Sequence, residues 1–400
     1  MTLTDSHVPT TSDTTPEVAS PTAAAHTVGR HWTGAPSDSP WLERARAVAP
    51  AIAPAAEQHD RDGTFVAESM AAVRGAGLFE MLVPADVGGG GASHAATCAV
   101  LAELARGCPA TSLTLSMHSH LVAAQVWRHH RDLPAPVLSK VADQRIYLIS
   151  TGASDWLESS GTVTKVEGGY RVSDRKLPSS GCPFGDVLVT SFRWDDAPER
   201  PQVIHCAVPF TTEGVSIEET WDTMGMRGTG SHTVVLDDVF VPDAAIALTR
   251  PAGEWHPVWA TVVGAAMPLI MSTYVGVAEE AAARAVELFH RRTQRPETVA
   301  LVGAMLTRLT AAKDTVAAMI AASDDLTFDN TIEHADLILR RKTTAAEACI
   351  DTVRLALEVG GGMAYSRGSG IERLYRDVHG ALYHPLPAAQ QEVFTGELAR

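Results

Sequence analysis

The segment MGMRGTGSHTVVLDDVFVP, residues 224–242, joins a glycine-rich loop to a run of β-forming residues. The run TVVLDDVFV predicts one strand, which ends at Pro242 because proline has no N–H for the ladder. In the loop, three glycines permit positive φ and allow a large group to approach the backbone closely. Arg227, Thr229 and Ser231 add a fixed charge and two short hydroxyls. A surface turn ahead of a strand has the same pattern as a loop that binds a large group. The rest of the chain must decide between these two interpretations.

The composition is that of an ordinary globular protein of two or three domains, with 400 residues of which 45% are hydrophobic and 20% charged. The formal net charge is −15. We therefore expect no nucleic-acid partner and no membrane partner, since no basic field would attract an anionic surface. Charged residues or His interrupt each apolar run, which argues against a membrane-spanning segment.

The start of the chain and the cysteines carry two further predictions. Residues 1–35 are rich in Thr, Ser, Pro and Ala and lack the basic start and apolar core of a secretory signal. They are predicted to form a disordered tail. The five cysteines are scattered and contain no CxxC pair. This pattern argues against a disulfide framework or a metal centre and favours a reducing, cytoplasmic location.

Three blocks follow along the chain. From 36 to 145 apolar residues recur at three- and four-residue spacing, which predicts a helical domain. From 146 to 250 short β-rich runs alternate with turn residues, which predicts a β-domain. From 251 to 400 long helical patterns with short links predict an antiparallel bundle, whose last long helix should end with Gly360 as its C-cap. The expected fold class is α+β, with the β-domain between two helical domains.

Five segments, in this order, resemble the acyl-CoA dehydrogenase superfamily of flavoproteins, and the resemblance covers nearly all of residues 41–400. The segments are SMAAVRGAGLFEMLVPADVGGGGAS, LISTGASD, DRKLPSSG, MGMRGTGSHTVVLDDVFVP and GGGMAYSRGSGIERLYRDV. In that family a flavin lies between the β-domain and the C-terminal bundle. The resemblance therefore implies bound FAD, or FMN in its place, and the loop at 224–231 would lie beside it.

The resemblance also implies which residues contact the cofactor and the substrate. Small hydroxyls and backbone amides match the polar edge of a flavin ring without steric cost. Arg291, Arg292 or Arg295 could supply the charge of the family's diphosphate-binding arginine, and Gly360 and Gly361 match a loop that reaches the adenosine of FAD in a neighbouring subunit. A homodimer or homotetramer is implied. The residues expected at the ring are Ile149, Ser150, Thr151, Pro178, Ser179 and Ser180, and those expected at the substrate entrance are Arg227, Thr229 and Ser231.

The usual catalytic base of the family is missing. Typical members remove an α-proton from an acyl-CoA with a glutamate, since that proton requires a base held against it. At the first family position this chain has His384, followed by proline; at the second, around Trp259, it has no acid, and Glu254 is the nearest. A His-Pro here resembles the branch of flavin-dependent monooxygenases. His384 is the first candidate catalytic residue, because histidine can donate or accept a proton near neutral pH.

His118 and His120 are the other two candidates, because the helix that carries them borders the flavin in the family. Two residues apart on a helix, their side chains point about 200° from each other, so only one can face the site. The same geometry argues against a joint metal site. Either histidine could instead be a packing residue.

Two enzymatic functions and one non-enzymatic function remain open at this point. By a small margin the sequence favours an FAD-dependent oxidoreductase of the acyl-CoA dehydrogenase type, acting on an acyl-CoA or carrier-bound acyl thioester with an electron-transfer flavoprotein as partner. The alternative is a reduced-flavin-dependent monooxygenase acting on a small molecule, supplied by a separate flavin reductase; no GxGxxG motif for a nicotinamide is present. A degenerate member that keeps only the fold is the third reading.

Overall fold

The computed structural model describes residues 32–36, 38–151 and 157–400. The predicted tail at 1–35 thus lies almost wholly outside the described residues, as does the segment at 152–156. The N-terminal part is helical, as predicted. Its helices are α1 (Pro40–Asp62), α2 (Ala67–Gly75), α3 (His94–Gly107), α4 (Pro109–His129) and α5 (Val137–Gln144).

Local signals explain where these helices begin and end. Helix α1 ends at Gly63, which takes the left-handed conformation with φ 68° that glycine adopts without strain. Ser93 caps α3 by accepting a hydrogen bond from the backbone N–H of Ala96. Helix α4 starts with Pro109, whose missing N–H costs nothing in the first turn. Nearly all of α4 is buried, so it forms the centre of this half of the molecule.

The middle of the chain forms two four-stranded sheets. One has the order β1-β4-β5-β8, in which β1 and β4 are parallel, and the other has the order β2-β3-β7-β6. The segment after the glycine loop forms the longest strand, which pairs with β3 and β6. The strands are β1 (Leu148–Ser150), β2 (Thr162–Val166), β3 (Gly169–Lys176), β4 (Val187–Trp194), β5 (Gln202–Pro209), β6 (Val215–Glu218), β7 (Thr233–Pro242) and β8 (Ile246–Pro251).

The C-terminal part is a helical bundle, which confirms the predicted α+β class. Helix α6 (Val258–His290) packs against α8 (Ile332–Tyr365) and against α4 and α3, and so links both helical parts. Among the described residues it alone is long and apolar enough to cross a membrane, but 94% of its most apolar window is buried in the protein, as in a core helix. The other helices are α7 (Pro296–Ala322), α8 (Ile332–Tyr365), α9 (Ile371–Val378) and α10 (Ala388–Leu398).

The predicted end of α8 at Gly360 is wrong. Gly360 is buried and remains helical, and the chain continues as helix to Tyr365 after one break at Gly361. Gly361 has φ 56° and ψ −144°, which is accessible to glycine and strained for other residues. The run of three glycines therefore bends this helix instead of ending it.

Candidate functional site

The glycine loop at 224–231 connects all three parts of the molecule. The backbone N–H of Met226 donates to Asp377 Oδ1 of α9 at 2.6 Å. Arg227 Nε donates to the carbonyl of Asp60 at the end of α1 at 2.7 Å, and the carbonyl of Gly228 accepts from Val66 N. The loop is therefore an interdomain junction and not a free surface turn, which answers the question its sequence raises.

Close backbone contact explains one of the loop's glycines. A Cβ on Gly225 would lie 2.2 Å from the carbonyl oxygen of Arg376, a distance that real atoms do not allow. Gly225→Ala should therefore lower the free energy of unfolding by about 1–3 kcal/mol, measured by urea denaturation. Gly303→Ala is the matched control: Gly303 is inside α7 with nothing within 4 Å of the new Cβ. It should be neutral or stabilising by up to about 1 kcal/mol. Equal effects of the two changes would contradict this account of Gly225.

Three hydroxyls form a chain between the loop and the candidate flavin segment. Ser180 Oγ lies 2.8 Å from Ser231 Oγ, which lies 2.7 Å from Thr229 Oγ1, and Thr229 donates to the carbonyl of Met226. Thr229 is fully buried and Ser231 is 2% exposed. The substrate contact predicted for these two does not fit such burial; the structure instead places them behind Ser180, which they orient.

The residues expected at the flavin ring divide into two groups. Ser150, Thr151, Pro178 and Ser180 are partly exposed, and Thr151 donates to Thr190 Oγ1 at 2.7 Å. Ile149 and Ser179 are fully buried, and Ser179 Oγ donates to the carbonyl of Lys176. The side chains of Ile149 and Ser179 thus belong to the core, and only their backbone can meet a ligand.

His384 follows a short 3₁₀ turn, His379–Tyr383, and its ring is held by the bundle. Its Nε2 lies 2.7 Å from the hydroxyl oxygen of Tyr274 of α6. Burial lowers the pKa of His384 to about 3, with the charges of Lys342 and His120 adding to the effect. Burial also raises the pKa of Tyr274 well above its usual value. Both groups are therefore neutral at pH 7.

The direction of this hydrogen bond decides what His384 can offer. Among the described residues Tyr274 has no other acceptor, so its O–H must donate to His384 Nε2, or its proton would be buried without a partner. The imidazole then carries its own proton on Nδ1. Within the described chain Nδ1 has no hydrogen-bond partner. His384 therefore presents an N–H donor, and its one lone pair is already used.

His118 and His120 have different surroundings. His118 Nε2 donates to the carbonyl of Phe79 at 3.0 Å and Nδ1 accepts from Leu148 N at 3.0 Å. Since both of its nitrogens are used by the backbone, the structure gives His118 a packing role between α4 and β1, and a catalytic role does not fit. His120 is 8% exposed, and burial lowers its pKa to about 4, an effect that a backbone hydrogen bond with Ser116 partly offsets. That His120 is the one of the pair that faces a ligand stays a prediction.

Among the residues that the structure describes, no carboxylate takes the place of the missing base. Glu254 forms a surface ion pair with Arg200 at 2.8 Å. Asp377 is buried near Tyr274, but its Oδ1 is bound to Met226 N, and burial raises its pKa to about 6. Within the described residues no group of three His, Cys, Asp or Glu side chains could hold a metal ion.

The residues predicted to meet the diphosphate and the adenosine of FAD have different surroundings. Arg291 is exposed at the end of α6 and lines a cavity of about 360 Å³ with Gly368 and Ser369. Gly361 lies beside Arg292, whose Nη1 would be 3.2 Å from an added Cβ. Gly360 is buried within its helix. The cofactor contacts of Arg291, Gly360 and Gly361 stay a prediction, as does the oligomer that they imply.

Two residues next to His384 were missed at the level of sequence. Tyr274 lies in the long apolar pattern of α6, where it is the single tyrosine, and its hydroxyl was the available signal. Lys342 lies in the run Arg-Arg-Lys at 340–342, which looks like a solvated helix face. It is 1% exposed, donates to the carbonyl of Leu386 at 3.1 Å, and burial lowers its pKa to about 8.

The fold and this site define a class of enzyme, the flavin-dependent oxidoreductases. Two family models match the chain: acyl-CoA dehydrogenase, N-terminal domain, over residues 42–132, and acyl-CoA dehydrogenase, C-terminal domain, over residues 269–386. Together they cover more than half of it. The chain belongs to the acyl-CoA dehydrogenase family.

Relatives of the chain include a putative acyl-CoA dehydrogenase and a nitrososynthase. It is 27% identical to the putative acyl-CoA dehydrogenase YdbM of Bacillus subtilis, covering 86% of this chain and 92% of that one. It is 29% identical to the L-evernosamine nitrososynthase of a Micromonospora species, covering 83% and 82%. Among solved structures, KijD3 in complex with FMN and a dTDP-linked amino sugar is 28% identical, with a TM-score of 0.83 and coverage of 92% and 95%.

Proposed function

We propose that this protein is a reduced-flavin-dependent monooxygenase acting on a small molecule. The observation that carries the proposal is the state of His384. A dehydrogenase needs a base with an available lone pair against the substrate α-carbon. Here the lone pair of His384 accepts from Tyr274, and the nitrogen that remains carries a proton. The site therefore offers a hydrogen-bond donor where the dehydrogenases have a carboxylate.

The residues present fit a flavin ring. His120 keeps 8% of its area exposed, and the partly exposed hydroxyls of Ser150, Thr151 and Ser180 supply short polar contacts. A reduced flavin, when bound, supplies electrons for reaction with oxygen. Ser180 would orient the ring, since Ser231 and Thr229 hold its hydroxyl. His384 would donate through Nδ1–H to an oxygen atom that develops negative charge.

FMN and FAD are both compatible with this proposal. FMN is supported by KijD3, whose structure contains it, and FAD is the cofactor that the family resemblance implies. We propose a separate flavin reductase as the partner, since the sequence has no GxGxxG motif for a nicotinamide. A homodimer or homotetramer, a cytoplasmic location and the domain limits at 145 and 250 belong to the same proposal.

The flavin position can be tested at its hydroxyls. Ser180→Leu and Thr151→Leu should each weaken flavin binding, because a branched apolar side chain replaces a short donor against the ring. The measurement is the dissociation constant from quenching of flavin fluorescence. Ser139→Leu, on the exposed face of α5, is the control and should bind flavin normally. Normal flavin affinity in both site variants would place the flavin elsewhere.

The reaction type is tested by supplying the protein with reduced flavin and air in one assay and with acyl-CoA thioesters in another. With reduced flavin and air, flavin reoxidation should follow a time course different from that of the unbound reduced flavin. Under anaerobic conditions, acyl-CoA thioesters of several chain lengths should leave bound flavin oxidised. Bleaching of bound flavin by an acyl-CoA would instead show a dehydrogenase with an altered base.

A further inference from the structure

Six arginines converge on one cavity of about 510 Å³ between α1, the glycine loop and α9. We call it the arginine cavity. Three acidic residues also line it, so positive charge is in excess, although the chain as a whole is strongly acidic. None of the residues expected at the flavin ring is in its lining. The arginines are Arg61, Arg227, Arg284, Arg367, Arg373 and Arg376.

The three acidic residues are already used by two of the arginines. Arg376 binds both oxygens of Asp60, at 2.8 and 2.6 Å, and also pairs with Glu372 at 2.9 Å. Arg61 pairs with Glu57 at 2.9 Å. The lining therefore has no carboxylate left to neutralise the other four arginines.

Two of those four find partners beyond the lining. Arg227 binds Asp222 and backbone carbonyls, and Arg284 pairs with Glu280 and donates to the carbonyl of Ser369. Both side chains are thus held in fixed positions at the wall of the cavity. Their charges still contribute to the local positive potential.

The side chains of Arg367 and Arg373 have no hydrogen bond or ion pair within the described residues. Both line the cavity, and Arg373 is 7% exposed, so its guanidinium is held at the cavity wall without a protein hydrogen-bond acceptor. Asp377, one helical turn further, interacts with it electrostatically, but Asp377 Oδ1 already accepts from Met226 N. A charged donor held in this way can bind an anion that enters the cavity.

We propose that the arginine cavity binds a diphosphate-bearing ligand that is separate from the flavin. The planar fork of arginine matches phosphate oxygens in a bidentate arrangement. A ligand with two phosphate groups would offer acceptor oxygens to both Arg367 and Arg373. The volume lies within the range of about 300–1,000 Å³ usual for small-molecule sites. The cavity shares Met224 and Arg227 with the loop that orients Ser180, so its occupant would stabilise that loop.

The test is titration calorimetry of the flavin-loaded protein with inorganic pyrophosphate and with ADP. Both should bind. Arg373→Met and Arg367→Gln should each raise the dissociation constant about tenfold or more, since each removes a charged hydrogen-bond partner. Arg308→Gln removes an exposed arginine of α7 that pairs with Asp351, and should leave binding unchanged. Arg367 is exposed, so its variant tests the proposal even if Arg373→Met does not fold.

Three outcomes would overturn the proposal. Wild-type protein that binds neither probe has no such site. Binding that survives both substitutions lies elsewhere. Variants that weaken binding of FAD and leave binding of FMN intact, with ADP competing against FAD, would show that the cavity holds the flavin's own diphosphate. The proposal does not depend on the reaction catalysed, because every readout is binding to the loaded protein.

Discussion

His384→Ala is expected to bind flavin with normal affinity and to lose turnover by about 10²–10³-fold, the usual cost of removing one hydrogen-bond donor to a developing negative charge. The ring meets Tyr274 through one nitrogen and presents the other, so its removal deletes the donor without touching the flavin segment at Ser180. The measurement is turnover at matched flavin content, once a substrate is found. Turnover equal to wild type in the Ala variant would make His384 a packing residue.

A second substitution at the same position separates the two reactions. His384→Glu restores a carboxylate where the dehydrogenases have one. In the proposed monooxygenase the His384→Glu variant should be inactive, because a carboxylate offers no hydrogen-bond donor and repels developing negative charge. In a dehydrogenase it should recover part of the proton abstraction. Partial recovery of acyl-CoA oxidation would therefore refute the proposed function while leaving the flavin site intact.

Tyr274→Phe tests whether Tyr274 is a positioning residue. Removing the hydroxyl leaves His384 Nε2 without its donor, so the ring loses its fixed tautomer and its orientation. We expect turnover to fall about tenfold, the value of one buried hydrogen bond. Turnover equal to that of the wild type would show that Tyr274 serves packing alone.

The order of the three parts could be read from the sequence because each part has its own periodicity. Helical spacing at 36–145, alternation at 146–250 and long helices beyond 251 predict a β-domain between two helical ones. Two short strands were not predicted from the sequence: β6 has four residues, and β8 begins directly after a turn. Gly360 was misjudged because glycine favours a helix end only when no packing demands it inside. Here an added Cβ would lie 2.4 Å from that of Ala364.

Only part of the candidate site could be predicted from the sequence. His384 was found through its place beside a proline at a family position, but its partner Tyr274 is 110 residues away and only the folded chain brings them together. Burial also changed the role assigned to Thr229 and Ser231, from substrate contact to support of Ser180. A glycine-rich sequence shows that hydroxyls are near a loop, and it does not show which of them faces outward.

The second prediction with a large expected effect concerns the stability of the folded protein at acidic pH. His94 and His118 are buried with 1% and no exposed area, and burial lowers the pKa of each to about 4. In the unfolded chain each has its ordinary pKa near 6.5. Because the folded pKa lies below the unfolded one, the stabilisation is complete above pH 6.5 and is lost as pH falls towards 4. As pH falls from 7 to 5, each histidine should lower the free energy of unfolding by about 2 kcal/mol.

One acidic group acts in the opposite direction. Burial raises the pKa of Asp377 to about 6, so protonation of this group on acidification favours the folded state. A pH series on the wild-type protein alone would mix the two effects. A variant that removes one histidine and leaves Asp377 in place isolates the histidine contribution, since Asp377 then titrates identically in both proteins.

His118→Gln is that variant. A glutamine amide can still accept from Leu148 N and donate to the carbonyl of Phe79, and it cannot take up a proton. Urea denaturation at pH 7 and pH 5 should show the variant losing about 2 kcal/mol less stability than the wild type between the two pH values. His290→Gln, an exposed site at the end of α6, should keep the wild-type difference. If His118→Gln loses as much stability as the wild type, His118 takes up its proton in the folded protein as readily as in the unfolded chain, and the acid sensitivity has another source.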